Sequence, residues 1–457
     1  MRFFLLFAGA AAVFAAPLFA QDFGFGFDDD GGNGGGAKNS ASARAGGVEI
    51  GGEVSAALLG YGEDFSEGAS HVRFGDIFSG KLNFSASTSA ADGVLKFKFK
   101  PDAVPTGAAD VIDEGYIRLY FGNVDVEAGL RKLTWGKADS FGPLDVVNPL
   151  DSEAVFTEMA DNTDLTGVRI ARPLVHISAR LGQFSKLEGL FIPNFEPHRI
   201  AETGRWAPAQ FALLSNPAMS VAVVQPNIST LEYAQAGARF TTTLGSSDLG
   251  FQYYYGRLNE PAVAIGIDTS TYQVTATFLY NPYHQIGVDY AQVIYDFNTR
   301  AEFAANITED AAGDDGAVYN PSIAWSLGFD RDLFAGINLN FQINETIRLK
   351  NDETGSADFA AILTGADFFD IEGGKDATST RVTASLSKKF LRDELEARAA
   401  LVWDIEDKDC LVMPALIWTK GDVRLACSGG IFAGEESGQL GQYRKNNFVK
   451  LSAGYMF

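Results

Sequence analysis

The clearest chemical pattern in the sequence is a set of basic residues that occupy every second position of apolar segments. Residues 94–100 place three lysines between apolar neighbours. Successive side chains of a β-strand point to opposite faces, so these lysines share one face, which we expect to line a water-filled interior. The basic residues predicted to line it are Lys96, Lys98, Lys100, Arg118, Arg131, Arg180, Arg239, Arg381, Arg398 and Arg424. They would favour anions, unless acidic residues on the same face pair with them and cancel their charge.

Residues that could carry out catalysis or bind a metal show no recognisable motif. None of the 4 histidines lies in a nucleophile motif or a His-Glu-x-x-His segment. The two cysteines, Cys410 and Cys427, are offset diagonally on adjacent predicted strands, which is unfavourable for a disulfide. We therefore expect no enzymatic activity, cofactor or metal, and interpret both cysteines as packing residues, although the sequence leaves their pairing open.

Composition excludes several classes of protein. The 457 residues include 36 Lys and Arg against 58 Asp and Glu, a formal net charge of −22, which disfavours nucleic acid as a partner. The hydrophobic share of 46% is too high for a disordered chain. Beyond the N-terminus, no apolar run reaches the ~18 residues that a transmembrane helix requires.

The N-terminal region has the pattern of an export signal. Residues 1–20 contain Arg2 followed by a short alanine-rich apolar run, with cleavage expected after Ala20 or, alternatively, after Ala15. Residues 21–47 are glycine-rich and acidic without a period, which predicts a flexible segment. The remaining chain, residues 48–457, is expected to form one domain.

That domain has a hydrophobic period of two, which predicts an all-β protein. Segment 337–344 alternates Ile, Leu, Phe and Ile with Asn, Asn, Gln and Asn. We predict about eighteen antiparallel strands, with sixteen as the alternative. The predicted strands are 48–60, 71–90, 92–100, 113–122, 123–133, 164–172, 174–184, 231–244, 247–258, 270–280, 284–297, 318–330, 335–348, 379–389, 393–405, 411–420, 422–432 and 446–457.

Short and long connections alternate between these strands, which is typical of outer-membrane β-barrels with short periplasmic turns and long outer loops. In hydrocarbon each unpaired backbone group costs several kcal/mol, so a sheet that spans a membrane must close on itself. A soluble sheet has no reason to sort its connections by length. The sequence therefore predicts a transmembrane antiparallel β-barrel in contact with outer-membrane lipid.

Two long predicted connections, 134–163 and 185–230, are candidates to constrict the lumen. The first carries Trp135, expected to end a strand at the aromatic belt, and Asn148, expected with Pro149 to initiate a turn. It also carries Asp139, Asp145 and Asp151, which either bind solute or cap loop amides.

The C-terminal segment FVKLSAGYMF has apolar residues at alternating positions and a terminal aromatic residue. Val449, Leu451, Tyr455 and Phe457 share one face, as expected for a strand that contacts lipid. The segment also resembles the recognition signal of the barrel-insertion machinery, which we therefore expect to be a partner.

Two segments resemble a known group of proteins. Residues 129–139, followed by Asp145–Asp151, contain Gly-x-x-x-x-x-Trp-Gly and Asn-Pro-x-Asp patterns. These resemble uncharacterised bacterial outer-membrane barrels that are loosely related to porin-like and alginate-export-type barrels. Residues 187–197 resemble a second shared stretch. The resemblance implies a channel or transport role and identifies no solute.

The leading functional hypothesis is an outer-membrane channel that passes small solutes by diffusion through a loop-constricted barrel, with anions favoured. One alternative is an adhesin or structural barrel with binding loops. Another is a plugged transporter of hydrophobic compounds, which the phenylalanines at 23, 25 and 27 would suit. The sequence leaves the solute and the oligomeric state open.

Overall fold

The computed structural model describes residues 47–68, 78–99, 110–140, 142–161, 165–201, 203–208, 221–268, 273–351, 372 and 375–457. The predicted signal peptide, the segment 21–46 and Lys100 lie outside the described residues. Within them the chain forms an antiparallel sheet of eighteen strands that closes on itself, and a separate three-stranded sheet.

The strands follow one another around the barrel, and each pairs with its neighbours in sequence order. The barrel strands are β1 (Val48–Tyr61), β2 (Phe78–Ser87), β3 (Ala91–Phe99), β4 (Ile112–Phe121), β5 (Val124–Arg131), β6 (Arg172–Leu181), β7 (Ser185–Ile192), β9 (Gln235–Leu244), β10 (Ser247–Arg257), β13 (Pro282–Ile294), β14 (Phe297–Thr308), β15 (Ser322–Asp332), β16 (Ile337–Arg348), β17 (Thr378–Phe390), β18 (Leu395–Asp404), β19 (Asp409–Lys420), β20 (Val423–Ala433) and β21 (Phe448–Met456). The small sheet consists of β8 (Val221–Val224), β11 (Ala262–Asp268) and β12 (Gln273–Leu279).

Short helices occur only between strands in the described part of the chain. The α-helices are Gly62–Glu67 and Ser152–Glu158, and the 3-10 helices are Leu165–Val168, Leu231–Tyr233, Phe334–Gly336 and Gly441–Asn446. No described helix has the length and apolar character needed to cross a bilayer.

The barrel closes where the last strand pairs with the first. β1 and β21 are antiparallel and in register from Glu53 opposite Met456 to Tyr61 opposite Phe448. Beyond that register, the Gly52 N–H donates to the Phe457 carbonyl (2.9 Å) and the Phe457 N–H to the Gly52 carbonyl (3.0 Å). A Cβ on Gly52 would lie 2.5 Å from the Lys81 carbonyl oxygen, so a larger residue would crowd this seam.

The outer face of the barrel is apolar, as a lipid environment requires. Ile117, Phe121 and Leu451 are half or more exposed, although each is a large hydrophobic side chain. The alternate residues of the strands point inward, and polar residues on this inner face, such as Glu127 and Arg239, are buried. Together with the short turns at one end, this is the architecture of outer-membrane β-barrels. The predicted all-β, eighteen-stranded antiparallel barrel is confirmed.

Two of the predicted strands are wrong, although their number is right. In the predicted strand 164–172, the described residues 165–171 contain a 3-10 helix and lie inside the barrel, and in the predicted strand 270–280, Gln273–Leu279 form β12 of the small sheet. Strands β7 and β14 fall in segments that the sequence predicts to be connections. Alternation identifies an extended segment with two different faces, but it does not say which sheet that segment joins. β14 also has small outward residues, Ala301 and Ala305, which weaken its apolar signal.

Candidate solute pathway

The barrel interior is crossed by a long connection between β5 and β6. We call residues 132–171 the inner loop. Its described residues contact the wall at β14 and β16 through one segment, and at β20 and β21 through another. This connection overlaps the predicted constriction segment 134–163.

Glu302 on β14 holds the first segment of the inner loop. One carboxyl oxygen of Glu302 accepts hydrogen bonds from the backbone N–H groups of Lys137 and Ala138, the second at 2.8 Å. The other oxygen accepts from the Leu144 N–H at 3.2 Å. Gly136, at φ 102°, lies against this carboxyl group, so a larger residue there would be strained and would clash with it. The contacts place the loop backbone directly on the barrel wall.

Neighbouring wall residues bind the same segment. Gln342 on β16 accepts hydrogen bonds through Oε1 from the N–H groups of Asp139 (3.0 Å) and Ser140 (3.1 Å). Asp139 Oδ2 accepts in turn from Arg300 (2.6 Å) and Asn340 (2.9 Å). Side chains from β14 and β16 therefore fix both the backbone and a carboxylate of the loop.

Two glutamines complete this attachment on β10 and β13. Gln252 Nε2 donates to the Leu144 carbonyl (3.0 Å), and Gln285 Nε2 donates to the Pro143 carbonyl (2.9 Å). Leu144 is fully buried against Ala304 and Ala324 of the wall. The loop is thus held by an apolar contact enclosed by polar ones.

The other segment of the inner loop packs against a different sector of the wall, formed by β18–β21. The helix Ser152–Glu158 places Phe156 on Trp206, with ring centroids 5.0 Å apart. Phe156 also contacts Phe432 and Tyr443. Inward-facing residues of β18 and β19 join this cluster, including Val402, Leu411 and Met413. Part of the inner wall is therefore apolar and covered by the helix, which departs from the simple polar-inside alternation.

Asp161 ties the end of this segment to β21. Lys450 Nζ donates to Asp161 Oδ1 (3.0 Å) and to the Thr157 carbonyl (3.0 Å). Ser452 Oγ donates to Asp161 Oδ2 at 2.7 Å. The inner loop is therefore attached to separate sectors of the barrel.

Two cavities lie along the polar part of the wall. The loop-side cavity, of about 260 Å³, is lined by residues that include Gln285, Asn306, Ser322, Asn344 and Thr346. The turn-side cavity, of about 590 Å³, is lined by residues that include Lys137, Asp248, Gln292, Asn298 and Arg300. Gly142 and Asp145 of the inner loop line both cavities. A single segment of the loop therefore stands between the two spaces.

The predicted basic residues that are described lie on the inner face, and carboxylates accompany most of them. Arg131 pairs with Glu127. Arg398 instead donates to a backbone oxygen, the Ala160 carbonyl, at 3.4 Å. The remaining ion pairs are Lys96–Glu114 (2.5 Å), Lys98–Asp113 (3.6 Å), Arg118–Glu127 (2.5 Å), Arg180–Asp125 (3.6 Å), Arg239–Asp289 (2.7 Å), Arg381–Asp404 (2.8 Å) and Arg424–Asp161 (3.9 Å).

The predicted loop residues divide into structural and cavity-facing ones. Asn148 accepts from the Leu133 N–H (2.7 Å) and donates to the Ile170 carbonyl (2.9 Å), which joins the two ends of the loop. Asp151 caps the helix by accepting from the Ala154 N–H at 3.2 Å. Asp139 and Asp145 reach the cavities, where Asp145 pairs with Arg169.

The sequence predicts Trp135 at a lipid-facing aromatic belt, and this prediction is wrong. Trp135 is 2% exposed inside the barrel and makes an edge contact with Tyr254, with ring centroids 6.5 Å apart. Strand β5 ends earlier, at Arg131, so the chain has already turned inward at Trp135. The sequence does not indicate the wall residues that bind the inner loop, such as Glu302 and Gln342. Glu302 is missed because the sequence predicts a connection where β14 lies.

The four candidate residues for assembly lie on the outer face of β21 and at its end. Val449, Leu451, Tyr455 and Phe457 are each about half exposed, consistent with lipid contact. Cys410 and Cys427 are both free, and they pair in register with other residues, Ala433 and Leu416.

His198 anchors the rim of the loop-side cavity. Its Nδ1 accepts a hydrogen bond from the Leu150 N–H at 2.9 Å, which requires that nitrogen to be unprotonated. Burial lowers the pKa of His198 from 6.5 to about 4. This hydrogen bond between His198 and the inner loop therefore depends on a neutral imidazole.

Comparisons with known proteins extend no further than the architecture. No protein-family model matches the chain, and no curated protein does. Among solved structures, the chain is similar to the outer membrane protein OpdK from Pseudomonas aeruginosa, with 10% identity and a TM-score of 0.49 over 90% of this chain and 99% of that one. It is similar to the outer membrane channel DcaP of Acinetobacter baumannii, with 11% identity and a TM-score of 0.38 over 91% and 99% of the two chains. It is also similar to Wzi, a carbohydrate-binding β-barrel of Escherichia coli, with 11% identity and a TM-score of 0.44 over 89% of this chain and 84% of that one.

Proposed function

We propose that this protein is an outer-membrane channel through which small polar solutes diffuse, and that the inner loop constricts it. The observation that carries the proposal is the position of Gly142 and Asp145 between two cavities on the same polar wall. A solute that passes along β13–β16 would meet this segment of the loop before it reaches the opposite cavity.

The lining of the loop-side cavity suits hydrated, polar solutes. Amide and hydroxyl side chains along β13–β16 can exchange hydrogen bonds with a solute that sheds part of its water. On β13–β15 they form a ladder, in which Gln285 donates to Asn306 (3.0 Å) and Asn306 donates to Ser322 (3.1 Å). The apolar cluster around Phe156 occupies the other side, so the polar wall is the more favourable path.

Anion selectivity remains a prediction. Each paired carboxylate reduces the field that its basic partner projects into the lumen, because opposite charges in contact act on a distant ion as a dipole. With eight of the predicted basic residues in ion pairs with carboxylates, we expect at most a weak preference for anions.

Planar-bilayer recording tests both parts of the proposal. The refolded full chain should give stable single-channel steps in KCl, and a reversal potential close to zero in a KCl gradient would indicate weak selectivity. Addition of uncharged polar solutes of increasing size to the bath would measure the constriction. A correctly folded protein without conductance would contradict the channel proposal.

A further inference from the structure

Three aspartates converge in the connection between β18 and β19, at the end of the barrel that carries the long loops. One carboxylate oxygen from each of Asp404, Asp407 and Asp409 lies within 4.8 Å of the other two. Asp404 and Asp409 are 3% and 1% exposed, and Asp407 is half-buried. Three carboxylates in so little solvent repel one another unless positive charge compensates them.

The basic residues nearby compensate only part of this charge. Arg381 binds Asp404 through two nitrogens, at 2.9 Å and 2.8 Å. Lys408 turns its side chain to solvent, 72% exposed, and contacts Glu435 instead. One guanidinium against three carboxylates leaves a formal charge of −2 in the cluster.

An oxygen of Asp409 is an independent sign of a missing ligand. Asp409 Oδ2 accepts hydrogen bonds from the N–H groups of Leu440 (2.7 Å) and Gly441 (2.8 Å). Its Oδ1 is buried and has no hydrogen-bond partner among the described residues. Buried carboxylate oxygens are normally satisfied, so an orphan in an undercompensated cluster indicates a cation.

We propose that Asp404, Asp407 and Asp409 form a divalent-cation site that prefers Ca²⁺. An all-oxygen set of carboxylates suits a hard cation, and the charge of −2 matches its valence. Ca²⁺ accepts irregular coordination completed by water, whereas Mg²⁺ requires near-ideal octahedral geometry, which three residues from one tight connection do not supply.

The site would join two outer connections of the barrel. Asp407 Oδ2 accepts from the Gln439 N–H at 3.2 Å, and Asp409 binds the next two residues of the same connection. Gln439 and Arg381 also line the loop-side cavity. Bound Ca²⁺ would therefore stabilise the connection 434–447 at the mouth of the proposed pathway.

Isothermal titration of the refolded full chain with CaCl₂, after treatment with a chelator, tests the proposal directly. We expect one Ca²⁺ per chain with a Kd of about 10⁻⁴–10⁻³ M, the range of extracellular calcium modules, and weaker binding of MgCl₂. Asp409→Asn and Asp407→Asn should each weaken Ca²⁺ binding about tenfold, because each removes one ligand charge. Asp314→Asn, an exposed acidic residue on another outer connection, should bind Ca²⁺ as the wild type does.

The outcomes separate this site from the channel proposal, since binding is measured without conductance. Failure of the wild type to bind Ca²⁺ at millimolar concentration would overturn the site. Wild-type affinity in Asp407→Asn would also overturn it, and this variant serves if Asp409→Asn does not fold. A thermal unfolding midpoint that rises with CaCl₂ in the wild type and in Asp314→Asn, but not in Asp407→Asn, would support it.

Discussion

Arg300 on the barrel wall donates a hydrogen bond to Asp139 on the inner loop, with 2.6 Å between Nη1 and Oδ2. The same nitrogen lies 2.7 Å from Asp330 Oδ2 on the adjacent strand. One guanidinium group thus connects a lumenal carboxylate with the wall. The position of the loop across the lumen therefore depends on contacts that single substitutions can remove one at a time.

Asp139→Asn should loosen the inner loop. A neutral amide replaces the carboxylate, so the ion pair with Arg300 is lost and its hydrogen bond, worth about 1.5–3 kcal/mol between charged groups, is weakened. Single-channel recording should show a larger or noisier conductance. Asp330→Asn is the matched control, because it alters the same arginine without touching the loop, and it should conduct as the wild type does. Equal effects of the two variants would contradict a specific role for Asp139.

Substitutions of Glu302 should produce a graded opening of the constriction. Glu302→Gln retains an oxygen that can accept from the Lys137 and Ala138 N–H groups, but its NH₂ group cannot accept from Leu144. Glu302→Ala removes all of these bonds. Conductance in planar bilayers should therefore increase from wild type to Glu302→Gln to Glu302→Ala. The proposed constriction would be wrong if Glu302→Ala folded and conducted like the wild type.

Phe156→Ala should destabilise the helix that covers the apolar wall. Phe156 is 2% exposed and contacts Trp206, Phe432 and Tyr443, so its removal should cost about 3–5 kcal/mol. Urea unfolding in detergent, followed by tryptophan fluorescence, measures the loss. Phe334→Ala, at an 82% exposed position in a short turn, should cost less than about 1 kcal/mol. A similar loss in both variants would argue against the cluster.

The loop attachment at His198 should weaken in mild acid. Well above pH 6.5 the imidazole is neutral in folded and unfolded chains. As the pH falls, the unfolded chain takes up a proton first, because the folded pKa is about 4, so the free energy of unfolding decreases between pH 6.5 and about 4. Hydrogen exchange at the Leu150 amide measures this. His198→Gln, whose amide oxygen can accept the same bond without titrating, should flatten the dependence, and an unchanged slope would contradict it.

Phe457→Ala should separate assembly from stability. The backbone of Phe457 closes the barrel against Gly52, and alanine retains both of those hydrogen bonds. The free energy of unfolding, measured in detergent, should therefore change by less than about 0.5 kcal/mol. In cells, we expect less assembled barrel in the outer-membrane fraction, because the proposed recognition signal loses its aromatic residue. Met456→Ala, on the other face, is the control, and equal assembly of the two variants would count against the signal.

Much of the barrel could be predicted because its constraints are local and repeated. Segment 337–344 forms part of β16, with its asparagines and glutamine turned inward, as the alternation indicates. The error at 164–172 arose because Val168 and Ile170 bury their side chains in the lumen rather than in lipid. An apolar side chain avoids water equally in both places, so hydrophobicity alone cannot distinguish them.

The candidate pathway could be predicted only in part. The sequence predicts that Asp139 and Asp145 face the pathway, but it does not indicate their partners, Arg300 on the wall and Arg169 in the inner loop itself. Asp139 and Arg300 are separated by 161 residues. No local pattern records such a contact, since it forms only when the closed barrel places β14 opposite the loop.

The alternation of side chains was sufficient to establish strands with one apolar face, because each strand must satisfy lipid and water on its two sides regardless of its partners. The fate of the wall charges was decided by the pairing of neighbouring strands, whose register brings Arg239 to Asp289 and Arg381 to Asp404. The place of the inner loop was likewise decided in three dimensions. Its contacts with Glu302 and Lys450 join parts of the chain that meet only after the barrel encloses them.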